Sequence, residues 1–228
     1  INLNDSKITN LKKIVVRMKP SNYKRFMLNN LISGTIKSEI TLNFDENLNI
    51  NKFNVNGETK NLNIRVKKNV ELDNARFVFN LSNEEFSANF ISGQFRGIKL
   101  KNGNLDIKKN DGIKIDGAFD TNIEFKENQL QEFLKGIYKT NYLNKKINLK
   151  GVIKNKFNIQ LSNTLEVLNY NVNLNAEIKE GVFTFNNEFN PVVLKNKIKN
   201  IYFDKSKIRL NLNKNNSDLS ISGIYKLN

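Results

Sequence analysis

Cysteine, histidine and tryptophan are absent from the 228-residue chain, and proline occurs only twice. Without Cys or His there can be no zinc finger, His-ligated haem, thiolate nucleophile, disulfide framework or His-dependent catalytic triad. Long apolar runs are also missing: no stretch approaches the 18 residues needed for a membrane-spanning helix. The chain opens at Ile1, with no basic, apolar and small-residue succession of a secretory signal, which reads as an internal segment of a longer protein. What is present is 39% hydrophobic and 10% aromatic residues, enough to build a core, and a formal net charge of +15. Asn supplies 44 of the 228 residues and travels with Lys, Ile and Phe, a pattern of nucleotide bias that discounts the lysine excess.

The order of the residues is dominated by alternation of period 2, the signature of strands with one apolar and one polar face. Ile36, Ile40, Leu42 and Phe44 share a parity, as do Leu62, Ile64 and Val66; Ala75, Phe77, Phe79 and Leu81; and Phe86, Ala88 and Phe90. The pattern returns in Ile113, Ile115, Gly117 and Phe119, in Phe157, Ile159 and Leu161, and in Tyr170 to Ile178. It closes in Ile208, Leu210 and Leu212, then Leu219, Ile221, Gly223, Tyr225 and Leu227. Asn56-Gly57, Asn102-Gly103, Asp111-Gly112 and Asn213 to Asp218 read as hairpin turns. Connections this short leave no room for βαβ crossovers, so the expected fold is mostly β, an antiparallel meander.

Two stretches have helical spacing instead. Tyr23, Phe26, Met27, Asn30 and Leu31 predict a helix over 21–32 capped by Ser21, and Leu130, Phe133, Leu134 and Ile137 predict one over 128–138 capped by Asn128. Both are short and amphipathic, so they need tertiary burial to persist. A repeat accompanies them: at an offset of 117, Gly34, Ile36, Lys37, Ile40, Leu42 and Phe44 match Gly151, Ile153, Lys154, Phe157, Ile159 and Leu161 in type. Leu48, Phe53 and Val55 then match Leu165, Tyr170 and Val172 without a gap, and Ile113 to Gly117 resembles Leu219 to Gly223. A helix, a glycine and a meander occurring twice favour a sheet that each unit extends. One of its faces is wet; the other must be covered by a second sheet, by the helices or by lipid.

No catalytic constellation stands out. Asp116 and Asp120 share a strand, but acid–base work needs two carboxylates held together in a pocket. Ser21-Asn-Tyr-Lys24 fits S-x-x-K literally, yet Ser at a helix start is a cap. Gly93-Gln-Phe-Arg-Gly97 has no helix after it and reads as a bend or bulge. No calcium-loop pattern and no cofactor signature is found. Basic clusters at Lys12, Lys13, Arg17, Lys19, Lys24 and Arg25, and at Lys195, Lys197, Lys199, Lys205, Lys207 and Arg209, leave three readings: a solvated face, attraction to anionic headgroups, or nucleic acid. The aromatics share parity with Ile and Leu, which disfavours nucleic acid.

Several stretches resemble the AsmA-like superfamily of bacterial envelope proteins, of the YhdP type, over nearly the whole chain. Tyr23 to Gly34 is similar to that family's basic-aromatic helix ending in Asn-Leu and a Gly before a strand, with Phe26 where the family has Trp. Leu72 to Phe79, Ile91 to Ile107 and Ile113 to Gly117 resemble its run of glycine-punctuated strands, leading into a helix such as Leu130 to Ile137. The resemblance implies an elongated meander sheet curled into an open, taco-like apolar groove, in a periplasmic protein tethered to the inner membrane by a segment outside this chain and conducting phospholipid toward the outer membrane. It implies residues 1–20 as the end of a preceding β region and two helix-plus-meander modules, 21–127 and 128–228, sharing one sheet. Acyl chains, each burying CH₂ groups at about 0.8 kcal/mol apiece, are the implied partner, with no nucleic acid, no cofactor, no metal and no catalytic residue. The implied lipid contacts are Ile36, Ile40, Leu42, Phe77, Phe79, Phe86, Phe90, Ile113, Ile115, Phe157, Ile159, Leu210 and Leu212. A structural or adhesin-like β-sandwich with a closed core is the alternative, and a basic nucleic-acid-binding domain the third reading.

Overall fold

In the computed structural model, residues 2–17, 22–48, 50–67, 70–126, 129–130, 146–189 and 198–227 are described. They form β1 (Asn2–Lys7), α1 (Ile8–Val15), α2 (Asn22–Asn30), β2 (Leu31–Phe44), β3 (Ile50–Lys67), β4 (Val70–Ser82), β5 (Glu85–Phe95) and β6 (Ile98–Asn110). There follow β7 (Gly112–Phe125), β8 (Lys146–Leu161), β9 (Val167–Phe189), β10 (Ile198–Asn213) and β11 (Ser217–Leu227). All eleven strands belong to one sheet whose order is the order of the chain, with β1 and β11 at its two ends. The antiparallel meander expected from the alternation is the observed topology, and no second sheet exists among the described residues. The chain divides into two compact units, Ile1–Phe119 with Lys156–Tyr170, and Asp120–Asn155 with Asn171–Asn228.

In the first unit the register explains the alternation directly. Opposite residues share a face, so the pairings Ile40–Val55–Leu81–Phe86–Ile107 form an apolar row across β2 to β6. The neighbouring row on the other face is Glu39–Asn56–Asn80–Ser87–Asp106, wholly polar. There Asn80 Nδ2 donates to Asn54 Oδ1 at 3.1 Å and to Asn56 Oδ1. Asparagine, poor in strands by propensity, is retained because this face is solvated and its amides bond across strands.

A line of bulges crosses these strands. Gly34, Asn61, Asn74, Phe90 and Asn102 all have positive φ, and the register shifts beside each of them. Each bulge reverses parity, so the apolar side chains are odd-numbered at Phe53, Val55 and Thr59 of β3 but even at Leu62 and Ile64. Asn suits the left-handed backbone better than other residues with a side chain. Asn63 then repairs the ladder: its Nδ2 donates to Ser33 Oγ at 3.0 Å and its Oδ1 accepts from the Asn74 N–H at 2.8 Å.

The helices sit at the far side of this line. Ile8 of α1, 1% exposed, packs with Leu11 of the same helix over Leu31, Leu62, Ile64, Leu72 and Ala75, and Val15 at the end of the helix is 2% exposed. Strand β1 is thus followed directly by a helix that the alternation did not signal. Ile8, Leu11 and Val15 had the spacing, but the β-branched run Ile14–Val16 masks it. The helix expected over 21–32 is α2, shorter at its C-terminus because Leu31 and Ile32 already belong to β2. The two helices are stitched reciprocally: Lys12 Nζ donates to Leu28 O at 2.8 Å, and Lys24 Nζ to Val16 O at 2.6 Å, each cation satisfying carbonyls at the other helix's C-terminal end. Asn30 Nδ2 donates to Arg65 O at 2.6 Å and ties α2 to β3.

Of the turns expected, Asp111-Gly112 and Asn213 to Asp218 join β6 to β7 and β10 to β11. Asn56-Gly57 and Asn102-Gly103 do not: both lie inside strands, β3 and β6. Their glycines make room for rings, since a Cβ on Gly57 would fall 2.7 Å from Phe79 Cζ and one on Gly103 2.6 Å from Phe119 Cδ1. Ser21, Asn128 and residues 131–138 of the second expected helix lie outside the described residues; Gln129 and Leu130 are helical, and the Lys126 N–H donates to Gln129 Oε1 at 2.9 Å.

The offset of 117 recurs in the loops. Leu48 and Leu165 both have positive φ, and their N–H groups donate at 3.0 Å to Asp45 O and Ser162 O, three residues earlier in each case. In each loop the first residue's side chain also accepts from the backbone two residues on, at Asn47 and Thr164.

In the second unit Leu174–Leu210–Leu219 and Ala176–Ile208–Ile221 form apolar rows, with Asn175–Arg209–Ser220 on the opposite face. The parity again reverses, at Lys205 with φ of 46°. Ile123, Phe125, Ala176, Ile178 and Ile198 are its buried apolar residues.

The backbone constraints order two substitutions. Gly34→Ala places a Cβ 2.7 Å from Leu62 Cα at a φ of +126°, whereas Gly97 has φ +80° in open space. Urea unfolding should show Gly34→Ala costing more than Gly97→Ala, which carries only the left-handed penalty of about 1–2 kcal/mol.

Candidate functional site

The bulge line divides the apolar face of the first unit. On its helix side the residues are roofed by α1; on the other side lie Ile40, Leu42, Phe53, Val55, Phe79, Leu81 and Phe86, with Ile36 and Phe77 packed against the clusters of both sides. There the buried cluster Phe79, Ala88 and Ile91 is packed by strand residues alone, namely Ile36, Val55, Phe77, Leu81, Phe86, Leu105 and Phe119. Most of these are half-buried, a consequence of lateral contacts within one layer. Ile8 is the one large side chain below 2% exposure among the described residues, and it belongs to the roofed part. A closed sandwich would bury such rows completely.

Aromatic rings organise this surface. Phe77 meets Phe79 edge-on at 6.1 Å between centroids, Phe79 stacks on Phe86 at 6.3 Å, and Phe119 stacks on Phe157 at 6.1 Å. Each of Phe79, Phe119 and Phe157 lies over a cross-strand glycine, Gly57, Gly103 and Gly117. A ring packed over a glycine fills the space a Cβ would take and screens the bare backbone. Two buried polar side chains interrupt the face, Ser38 and Thr59; Thr59 Oγ1 accepts from the Phe77 N–H at 3.3 Å. No buried side-chain polar atom lacks a partner among the described residues.

The candidates read from the sequence distribute as follows. Ile36, Ile40, Leu42, Phe77, Phe79 and Phe86 fall on the shared face described by the register. Phe157 joins it over Gly117, and Ile113 and Ile115 share the parity of Gly117, as Ile159 shares that of Phe157. Leu210 and Leu212 lie on the apolar face of the second unit, opposite Leu174 and Val172. Phe90 departs from its expected parity: with φ of 55° it is the bulge residue of β5 and is 81% exposed, while Ile91 turns inward in its place at 4%. Phe53, Val55, Leu81, Leu105 and Ile107 belong to the same rows and were not among the candidates, although their alternation signals them. The same parity argument finds them once the turns at Gly57 and Gly103 are removed.

The polar face holds one carboxylate with a shifted titration. Asn158 Nδ2 donates to Asp116 Oδ1, and Lys114 Nζ lies 3.3 Å from Oδ2; together these hold the Asp116 carboxyl below its usual range, the Asn158 bond being the larger cause. No group of three or more metal-ligating side chains occurs among the described residues. No helix among the described residues is long and apolar enough to cross a membrane. No family model, curated protein or solved structure matches the chain.

Because its folded value is depressed, Asp116 contributes stability above the unfolded aspartate pKa, and that contribution disappears as pH falls through the folded value. Carboxyl-detected NMR titration should show Asn158→Ala moving the Asp116 midpoint upward; an unmoved midpoint would remove the bond as the cause.

Proposed function

We propose that the apolar face of the first unit binds phospholipid acyl chains, as part of an envelope protein of the AsmA-like, YhdP type that conducts lipid between membranes. The observation that carries this reading is the set of register-aligned apolar rows, Ile36 to Leu42 across to Phe86 and Ile107, that remain only partly buried, with no second sheet among the described residues. Contiguous apolar surface beyond a few hundred Å² leads to aggregation unless something occupies it. Methylene chains suit a face made of flat rings and branched aliphatics, because their contacts are non-directional and allow sliding. Headgroups would remain at the wet rim, where Lys and Asn predominate. Such a role requires no catalytic group, cofactor or metal, and we place the protein in the periplasm, tethered to the inner membrane by a segment outside this chain. The single-sheet topology weighs against the adhesin-like closed sandwich.

Two substitutions separate lipid contact from structural packing. Phe79 is 7% exposed at the centre of the strand-packed cluster, so Phe79→Asp should destabilise by about 3–5 kcal/mol or more. Ile115 is half-buried, so Ile115→Asp should keep a cooperative melt yet lower crosslinking to a phospholipid carrying a diazirine on its acyl chain severalfold. A wild-type protein that captures no such lipid, together with unfolding of Ile115→Asp, would overturn the proposal in favour of a closed core.

A further inference from the structure

The α1–α2 pair carries a chemistry the sheet does not use. Residues 8–30 contain six Lys or Arg and no Asp or Glu. Lys12 and Lys24 are committed to the carbonyls that join the two helices. Lys13 of α1 and Arg17 just beyond its C-terminus are exposed. Beside them stand two exposed apolar side chains, Val16 at 58% and Phe26 at 48%. Two strand acids are engaged with strand cations, Asp5 with Lys60 at 3.8 Å and Glu71 with Arg65 at 2.9 Å.

We propose that this helix pair is a docking surface for an anionic phospholipid bilayer, with Lys13 and Arg17 meeting headgroup phosphates and Val16 and Phe26 entering the interface. Charge complementarity selects the partner: a short basic helix with an exposed ring and a branched aliphatic matches the boundary between headgroups and acyl chains. Single-stranded nucleic acid would call for a series of displayed rings on which bases stack, whereas Phe26 is the one exposed ring of these helices' described side chains. The reciprocal lysine bonds hold the two helices as one platform. The proposal extends the lipid-conduit reading but stands on different residues, and each can fail alone: vesicle docking reads the helices, acyl crosslinking reads the sheet.

The test is flotation of the 228-residue chain with phosphatidylglycerol–phosphatidylcholine vesicles and with pure phosphatidylcholine vesicles. Binding should require the anionic lipid and weaken with salt. Lys13→Glu with Arg17→Glu should lower partitioning at least about tenfold, from two cations worth roughly fivefold each. Phe26→Ser should lower it severalfold at unchanged charge. Lys108→Glu with Lys109→Glu, at the opposite end of β6, matches the charge change and should leave binding near wild type. Thermal melts confirm that the variants fold, and a single-stranded oligonucleotide serves as competitor. Equal loss in the Lys108/Lys109 variant would assign binding to net charge and overturn the proposal. So would indifference to Phe26→Ser, or an oligonucleotide bound more tightly than vesicles with the same dependence on Lys13 and Arg17.

Discussion

Cross-strand register is the constraint on which the remainder of the structure depends. Once Ile40, Val55, Leu81, Phe86 and Ile107 are opposed in one row, the adjacent rows must be opposed as well, and each face acquires a single character over five strands. A slip by one residue in any strand would place Phe or Leu among the asparagines and break the amide contacts of Asn80. The polar face is therefore as much a register device as a solvated surface.

The bulge line is the second consequence. It lets every strand from β2 to β6 change parity at the same level, so an apolar face continues beneath α1 although the sequence pattern has shifted by one. Glycines under rings serve the same layer in another way, by letting Phe79, Phe119 and Phe157 lie close to the backbone instead of standing away from it. Neither device is needed in a sheet covered by a second sheet, where large side chains interdigitate across the gap.

The strands and their antiparallel order were legible because period 2 is a local property. What was not legible followed from two ambiguities of residue type. Asn-Gly marks a hairpin turn in most sequences, but in β3 and β6 the glycine accommodates a ring from the next strand, a non-local cause. Phe90 follows Phe86 and Ala88 in parity, and only the left-handed backbone at that position sends it outward. The switch of apolar parity at Asn61, Asn74 and Asn102 was present in the sequence as a signal for bulges. Helix α1 was hidden because β-branched residues carry both patterns over so short a span.

The central claim is that one face of this sheet is made for acyl chains and the other for water. NMR of the protein with a phospholipid spin-labelled on its acyl chain tests it most directly, through paramagnetic broadening of side-chain signals. The account predicts selective broadening of Phe77, Phe86, Ile40 and Ile115, while the side-chain amides of Asn54, Asn56 and Asn80 stay sharp. Broadening of both faces alike, or of neither, would contradict it.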